Sequence, residues 1–223
     1  MKSIIKTNAF AGNTYVSKIV FLNNHDNVPD NAKDYSALRD KSVMGWYADP
    51  YGSTLIIAPM YGDKVIANED SRLMFWDCRN LILIKGLENL DTSNVQNMRF
   101  MFHKCYNLKS LDLSTFDTSK VTDMSYMFAY CRSLNTIQIS NFDMTNIAYT
   151  DSMFSNCVSL ERIDMPKNGW NKIKSMTYMF FNCLSLKQLN FFMSKISNGV
   201  QITDMFLNCD NLQISKTESS AKG

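Results

Sequence analysis

The chain has 223 residues, of which 45% are hydrophobic and 20% charged, a composition that is typical of a folded globular protein and excludes a disordered tail. Its 23 basic and 21 acidic residues leave a net charge of +2, which argues against a basic nucleic-acid-binding surface. The counts of 15 Met and 6 Cys are high, whereas 8 Gly and 4 Pro are few for a protein with many turns.

The amino terminus lacks the apolar region of a secretory signal, because only Ile4 and Ile5 precede Lys6. No segment approaches the ~18 apolar residues of a membrane span, and Leu55-Ile56-Ile57-Ala58 is typical of the longest apolar runs. We therefore expect no membrane span. A secreted location requires that a leader has been removed, and a cytoplasmic or virion location is the alternative.

Residues 1–73 show no internal period and are expected to form a β-rich N-terminal capping region. Apolar runs at 15–22, 42–47, 53–58 and 64–67 have strand character. Turns are predicted at Pro50-Tyr51-Gly52 and Tyr61-Gly62-Asp63.

Residues 74–214 are organised by six cysteines at positions 78, 105, 131, 157, 183 and 209, which lie 27, 26, 26, 26 and 26 residues apart. Each cysteine lies in a box M-F-x-x-C, followed three residues later by leucine. Apolar residues then alternate, as at Leu111 and Leu113, which predicts one short strand per unit. The corner at 116–119, Phe-Asp-Thr-Ser, predicts an Asx turn, and the spacing i, i+3, i+4, i+7 over 124–131 predicts a helical or 3₁₀ return.

A single unit of this kind cannot bury its own apolar face, so the units are expected to stack. The predicted fold is an α/β repeat solenoid, leucine-rich-repeat-like, with about five to six 26-residue coils. It has a parallel sheet on one side, short helical or 3₁₀ returns and the β-rich N-terminal cap. Residues 215–223 are expected to form a polar C-terminal tail. The uncapped C-terminal edge before it is expected either to self-associate or to be covered by this tail.

The unit from Cys105 to Phe128 resembles the 26-residue repeat of BspA-like bacterial surface proteins, and the resemblance extends over about 74–214. It implies a leucine-rich-repeat fold at the cell surface or in secreted form, with adhesion to host proteins, matrix or other cells. One departure is Asn168-Gly169-Trp170-Asn171, which stands where the Phe-Asp-Thr-Ser corner is expected.

The sequence does not favour disulfide, zinc-binding, catalytic or phosphate-binding chemistry. Stacked cysteines of one column are one strand spacing apart, so we expect buried free thiols in preference to disulfides, and no Cys/His spacing suits zinc. His25 and His103 have no motif-like nucleophile or carboxylate nearby, and glycine-rich phosphate loops are absent. We expect no enzyme, cofactor or metal.

The residues that flank the inward positions of each strand are expected to form an exposed binding face. They are Lys109, Ser110, Asp112, Ser114, Asn135, Thr136, Gln138, Glu161, Arg162, Asp164, Lys187, Gln188, Asn190 and Phe192. Phe192 is either an exposed anchor or buried in a misaligned coil. A second column, Phe100, Tyr126 and Tyr178, either packs against neighbouring coils or binds.

These observations predict a non-catalytic binding or adhesion module that presents the outer face of a sheet to a protein or glycan, with no nucleic-acid partner. The alternative is a structural or assembly component, an envelope or virion spacer, that acts through its ends.

Overall fold

The computed structural model describes residues 2–191 and 196–213, and its secondary structure in those ranges is short strands and turns. The strands are β1 (Lys18–Phe21), β2 (Lys33–Asp34), β3 (Val43–Tyr47), β4 (Thr54–Pro59), β5 (Val65–Ile66), β6 (Leu83–Lys85), β7 (Leu90–Asp91), β8 (Ser110–Asp112), β9 (Thr136–Gln138), β10 (Arg162–Asp164) and β11 (Gln188–Asn190). Two 3₁₀ turns cover Leu87–Asn89 and Trp170–Lys172. No helix within these ranges is long and apolar enough to cross a membrane.

The largest sheet has five strands in the order β2-β3-β4-β1-β6. It is mixed, since β3 is antiparallel to β2 and β4 whereas β1 is parallel to both β4 and β6. Residues on alternate positions of β1 and β4 are buried, including Ile19, Phe21 and Ile57. Strand β6 lies beyond residue 73, so this sheet unites the amino-terminal region with the chain that follows it.

The remaining chain is stacked by backbone hydrogen bonds between turn segments. Alternate N–H groups from Met124 to Tyr130 donate to carbonyls from Tyr149 to Ser155 at 2.8–2.9 Å. The N–H groups of Met127, Ala129 and Cys131 donate instead to carbonyls three residues back, at 3.0–3.2 Å. Parallel bridges continue this stacking along the chain through Asp70, Asn97, Asp123, Tyr149, Ser175 and Gln201.

In every second turn of such a segment the third residue has a positive φ although it is not glycine. Tyr126 and Tyr130, for example, have φ values of 60° and 64°. The other turn residues of this kind are Leu73, Asp77, Phe100, Lys104, Ser152, Asn156, Tyr178, Asn182, Asp204 and Asn208. A type II turn requires a positive φ at this position, and the bonds to the neighbouring segment hold the residue there. Residues other than glycine therefore adopt the left-handed backbone conformation in these turns. This is how the chain forms many turns although it has few glycines.

The predicted fold class, an α/β leucine-rich-repeat-like solenoid with a parallel sheet on one side and short helical or 3₁₀ returns, is wrong. The described ranges contain no α-helix, and the strands beyond β7 form separate two-stranded parallel sheets, β8 with β9 and β10 with β11, instead of one continuous sheet. The returns are not helical because half of their N–H groups donate to the neighbouring segment, whereas an α-helix uses its N–H groups internally. The i, i+3, i+4, i+7 spacing arises from consecutive turns.

The core contains a column of stacked phenylalanine rings. Neighbouring centroids are 4.9–5.6 Å apart and neighbouring planes differ by 3–24°. The rings belong to Phe10, Phe75, Phe102, Phe128, Phe154, Phe180 and Phe206. Phe10 comes from the amino-terminal region, so the core is continuous between that region and the stacked turns.

The six cysteines form a second buried column, and the expectation of free thiols is confirmed. Each Sγ–H donates to the carbonyl of a phenylalanine in the preceding segment at 3.0–3.2 Å, as from Cys131 to Phe102. Burial raises the pKa of Cys78 to about 12, so this thiol stays un-ionised at neutral pH. The thiols therefore act as small apolar groups with one weak donor.

The Asx turns expected at the corners are confirmed. The Asp117 carboxylate accepts the N–H of Ser119 at 2.9 Å, and Asp91 and Asp143 do the same for the residues two positions on. These bonds to Ser119 hold the pKa of Asp117 below its usual value even though partial burial raises it. At the corner, the aspartate side chain thus accepts backbone N–H groups that have no partner on a neighbouring strand.

Candidate binding face

The exposed side of β8 to β11 carries polar side chains in register, and we call it the polar strand face. In β8, β9 and β10 the middle residue is buried and its two neighbours point outward, because successive side chains of a strand alternate between faces. The face consists of Ser110, Asp112, Thr136, Gln138, Arg162, Asp164, Gln188 and Asn190. Parallel pairing aligns Ser110 with Thr136 and Arg162 with Gln188.

The other predicted site residues lie beside these strands. Lys109, Ser114, Asn135, Glu161 and Lys187 are exposed, and Asp164 and Asn190 are half-buried. Phe192 lies outside the described residues, and its two alternatives stay open. The structure thus brings the described members of the set to one side of the molecule, where Ser114 hydrogen-bonds to Asp112 and holds the pKa of that carboxyl below its usual value.

An arginine–aspartate pair lies at the centre of the face. The Arg162 guanidinium donates to both carboxylate oxygens of Asp164 at 3.1 Å, and its other terminal nitrogen donates to Gln188 Oε1 at 3.1 Å. The side chains of Arg162 and Asp164 remain 64% and 45% exposed. The guanidinium is therefore oriented by two neighbours while donors and acceptors stay open to a ligand.

Two cavities open on either side of this pair. One of about 450 Å³ lies between β9 and β10 and is lined by Asn135, Thr136 and Glu161 together with the pair. The other, of about 690 Å³, is bounded by Ser140, Asp143 and Asn190 together with the pair. Strands β9 and β10 belong to different two-stranded sheets, so the smaller cavity lies where the strand pairing is interrupted.

The rim of the larger cavity is a loop, residues 166–169, that sequence reasoning did not assign to the site. Gly169 has φ of 91°, and a Cβ there would lie 2.8 Å from the backbone nitrogen of Thr145, so glycine is required. Trp170 is buried, and its Nε1–H donates to the Pro166 carbonyl at 2.8 Å. The signal in the sequence was the departure from the Phe-Asp-Thr-Ser corner at 168–171.

The polar strand face offers a guanidinium, carboxylates, amides and hydroxyls. These groups can form hydrogen bonds to an extended polar ligand. Among residues 2–191 and 196–213, no group of three His, Cys, Asp or Glu side chains is placed to hold a metal ion.

The fold and this face define a β-rich protein of stacked turn segments whose short strands present polar side chains to solvent. The family model described as "Mycoplasma protein of unknown function, DUF285" matches residues 69–191. The chain belongs to this family, and the matched region contains β8 to β11. No curated protein and no solved structure matches the chain.

Proposed function

We propose that the protein is a non-catalytic binding module that presents the polar strand face to a protein or glycan partner. The observation that carries the proposal is the Arg162–Asp164 pair, which is shared by two cavities in the middle of an exposed polar surface. Backbone bonds between stacked segments support these side chains, which lowers the ordering cost of binding. The resemblance to BspA-like proteins supports an adhesive role at the cell surface or in secreted form.

The test is a binding screen against immobilised host-surface and matrix proteins and a glycan array, followed by Arg162→Ala and Asn190→Ala. Each variant is expected to weaken binding of a captured partner by about tenfold or more, because central interface residues carry most of the binding energy. Arg72→Ala is the matched control, since Arg72 is also an exposed arginine paired with an aspartate two positions away, Asp70, at 2.8 Å.

Unchanged binding in both face variants would overturn the proposal. That result would favour the alternative, in which the protein is a structural or assembly component that acts through its ends. Ile202 and Leu207, in the final turn segment that the structure describes, are 45% and 47% exposed, and self-association there stays a prediction.

A further inference from the structure

A second surface, formed by turn segments and sharing no residue with the polar strand face, combines arginines with aromatic rings. We call it the Arg–aromatic patch; it consists of Arg99, Phe100, His103, Tyr126, Tyr130 and Arg132. Phe100 and Tyr126 occupy equivalent positions of adjacent turn segments, both with positive φ. Their side chains lie outside the core, and their rings stack at 4.8 Å with an interplanar angle of 18°.

Two arginines lie over aromatic rings of this surface. The Arg99 guanidinium lies over the rings of Phe100 and Tyr126, 4.9 and 5.6 Å from their centroids. The Arg132 guanidinium lies 5.8 Å from the Tyr130 centroid and 5.1 Å from that of neighbouring Tyr106. Cation–π contacts fix the guanidinium planes while leaving their edges available to carboxylates.

His103 links the two halves of the patch. Its ring meets Phe100, Tyr126 and Tyr130 edge to face, at centroid distances of 5.2, 6.3 and 5.6 Å. The side chain is buried, with 8% exposure, and Nδ1 has no hydrogen-bond partner among the described residues. A buried polar atom left without a hydrogen-bond partner is uncommon in folded proteins.

The charge around the patch is positive. Arg79, Arg99 and Arg132 lie over aromatic rings of this region, and Lys104 is next to His103 in the chain. Arg79 pairs with Asp77 at 2.9 Å, and Arg99 lies 3.8 Å from Asp123. Within the described ranges neither Lys104 nor Arg132 forms an ion pair. An excess of two positive charges therefore faces solvent beside the aromatic rings.

From this geometry we infer that the Arg–aromatic patch binds an acidic segment of a protein partner. Arginine and tyrosine are enriched in protein–protein interfaces, and carboxylates are the groups that the guanidinium fork prefers. A nucleic-acid strand is less well suited, because base stacking needs open ring faces and the Phe100 and Tyr126 rings face each other and Arg99.

The test measures binding of a fluorescein-labelled peptide of alternating Glu and Tyr residues by fluorescence anisotropy. A Lys–Tyr peptide serves as the reverse-charge control and labelled oligouridine as the nucleic-acid probe. The double variant Lys104→Gln/Arg132→Gln is expected to weaken binding of the acidic peptide by at least about fivefold. The matched control is Lys120→Gln/Lys172→Gln, which also removes two positive charges. These two lysines lie outside the patch, where each hydrogen-bonds an asparagine. The control variant is expected to bind the acidic peptide as tightly as the unmodified protein does.

Amide chemical shifts of labelled protein locate the peptide, and circular dichroism checks that each variant is folded. Shift changes confined to residues 99–106 and 125–132 would support the inference. Equal weakening in both double variants, changes centred on the polar strand face, or tighter binding of oligouridine than of the acidic peptide would each overturn it. Because the proposed function concerns Arg162 and Asn190, failure here leaves that proposal intact.

Discussion

Each buried cysteine combines apolar packing with one directed hydrogen bond. A cysteine thiol is small enough to lie beside the phenylalanine column and still donates to a backbone carbonyl, as Cys157 does to Phe128 at 3.2 Å. His103 differs from these cysteines, because its buried Nδ1 has no hydrogen-bond partner among the described residues. The environment of this histidine therefore favours the neutral ring.

Stability should depend on the protonation of His103. Burial, and then the charge of Lys104, lower its pKa to about 4, although Asp77 opposes the shift. The unfolded chain binds this proton below about pH 6.5, whereas the folded protein does not bind it until about pH 4. The free energy of unfolding is therefore expected to fall as the pH is lowered through this window, by at most about 1.4 kcal/mol per pH unit.

Urea unfolding at pH 4.5, 5.5 and 6.5 checks this expectation, with His103→Phe as the variant that keeps an aromatic ring but cannot titrate. The variant should lose that part of the pH dependence. His25→Gln, at an exposed position, is the control and should keep it. An unchanged slope in His103→Phe would show that other groups are responsible.

Among the elements, the corners are joined by side chain–backbone bonds as well as by backbone ladders. The buried Thr118 hydroxyl donates to the Asp143 carbonyl at 3.2 Å and accepts the Asp143 N–H at 2.8 Å. Thr92 makes the same two bonds to Asp117. Threonine thus continues the stacking at the corner, where no strand pairing is present.

Thr118→Val should destabilise the protein by about 1–3 kcal/mol, because it preserves the shape of a buried side chain but removes the partner of both the N–H and the carbonyl of Asp143. Thr122→Val removes a comparable bond, to the Gln96 carbonyl at 3.1 Å, at an exposed site. Water can replace that bond, so its cost is expected to stay below about 0.5 kcal/mol. Urea denaturation measures both variants, and equal losses would contradict the role given to burial.

For the whole molecule, Phe10 connects the amino-terminal sheet to the stacked turns. Its ring lies 6.0 Å from Phe21, 5.7 Å from Tyr35 and 5.1 Å from Phe75, and its carbonyl accepts the Cys78 thiol. Because the buried residues form one cluster through both regions, we expect the described chain to unfold as one cooperative unit.

Phe10→Ala is expected to cost about 3–5 kcal/mol by opening a cavity at this junction. Tyr51→Ala, at a residue that is 92% exposed, is the control and should be nearly neutral.

Cooperative unfolding of the two regions can be tested separately, by fluorotryptophan NMR during urea unfolding. The method follows Trp46 in β3 and Trp170 beside the larger cavity as separate signals. Coincident transitions are expected, whereas survival of the Trp170 signal after loss of the Trp46 signal would show two independent units.

Much of the core and of the polar strand face could be predicted from the sequence. The recurrence of Met, Phe, Cys and Leu marked the columns that are buried, and alternation around Leu111, Ile137 and Ile163 marked the outward positions. The Asx turns were also predictable. These features are local, because a side chain's polarity and its position within a few residues decide whether it faces the core.

Tertiary structure alone decided how the returns are built, where strand pairing stops and what lines the cavities. An apolar spacing of i, i+3, i+4, i+7 is compatible with a helix or with consecutive turns, and the choice depended on carbonyls about 25 residues away, as from Met124 to Tyr149. Contacts between distant chain segments likewise decided three further features. They are the cavity rim at 166–169, the position of the Arg162–Asp164 pair between two cavities and the contribution of Phe10 to the ring column. Side-chain pattern determines which surface is apolar, whereas the partner of a backbone N–H is set by chain segments that meet only in the folded protein.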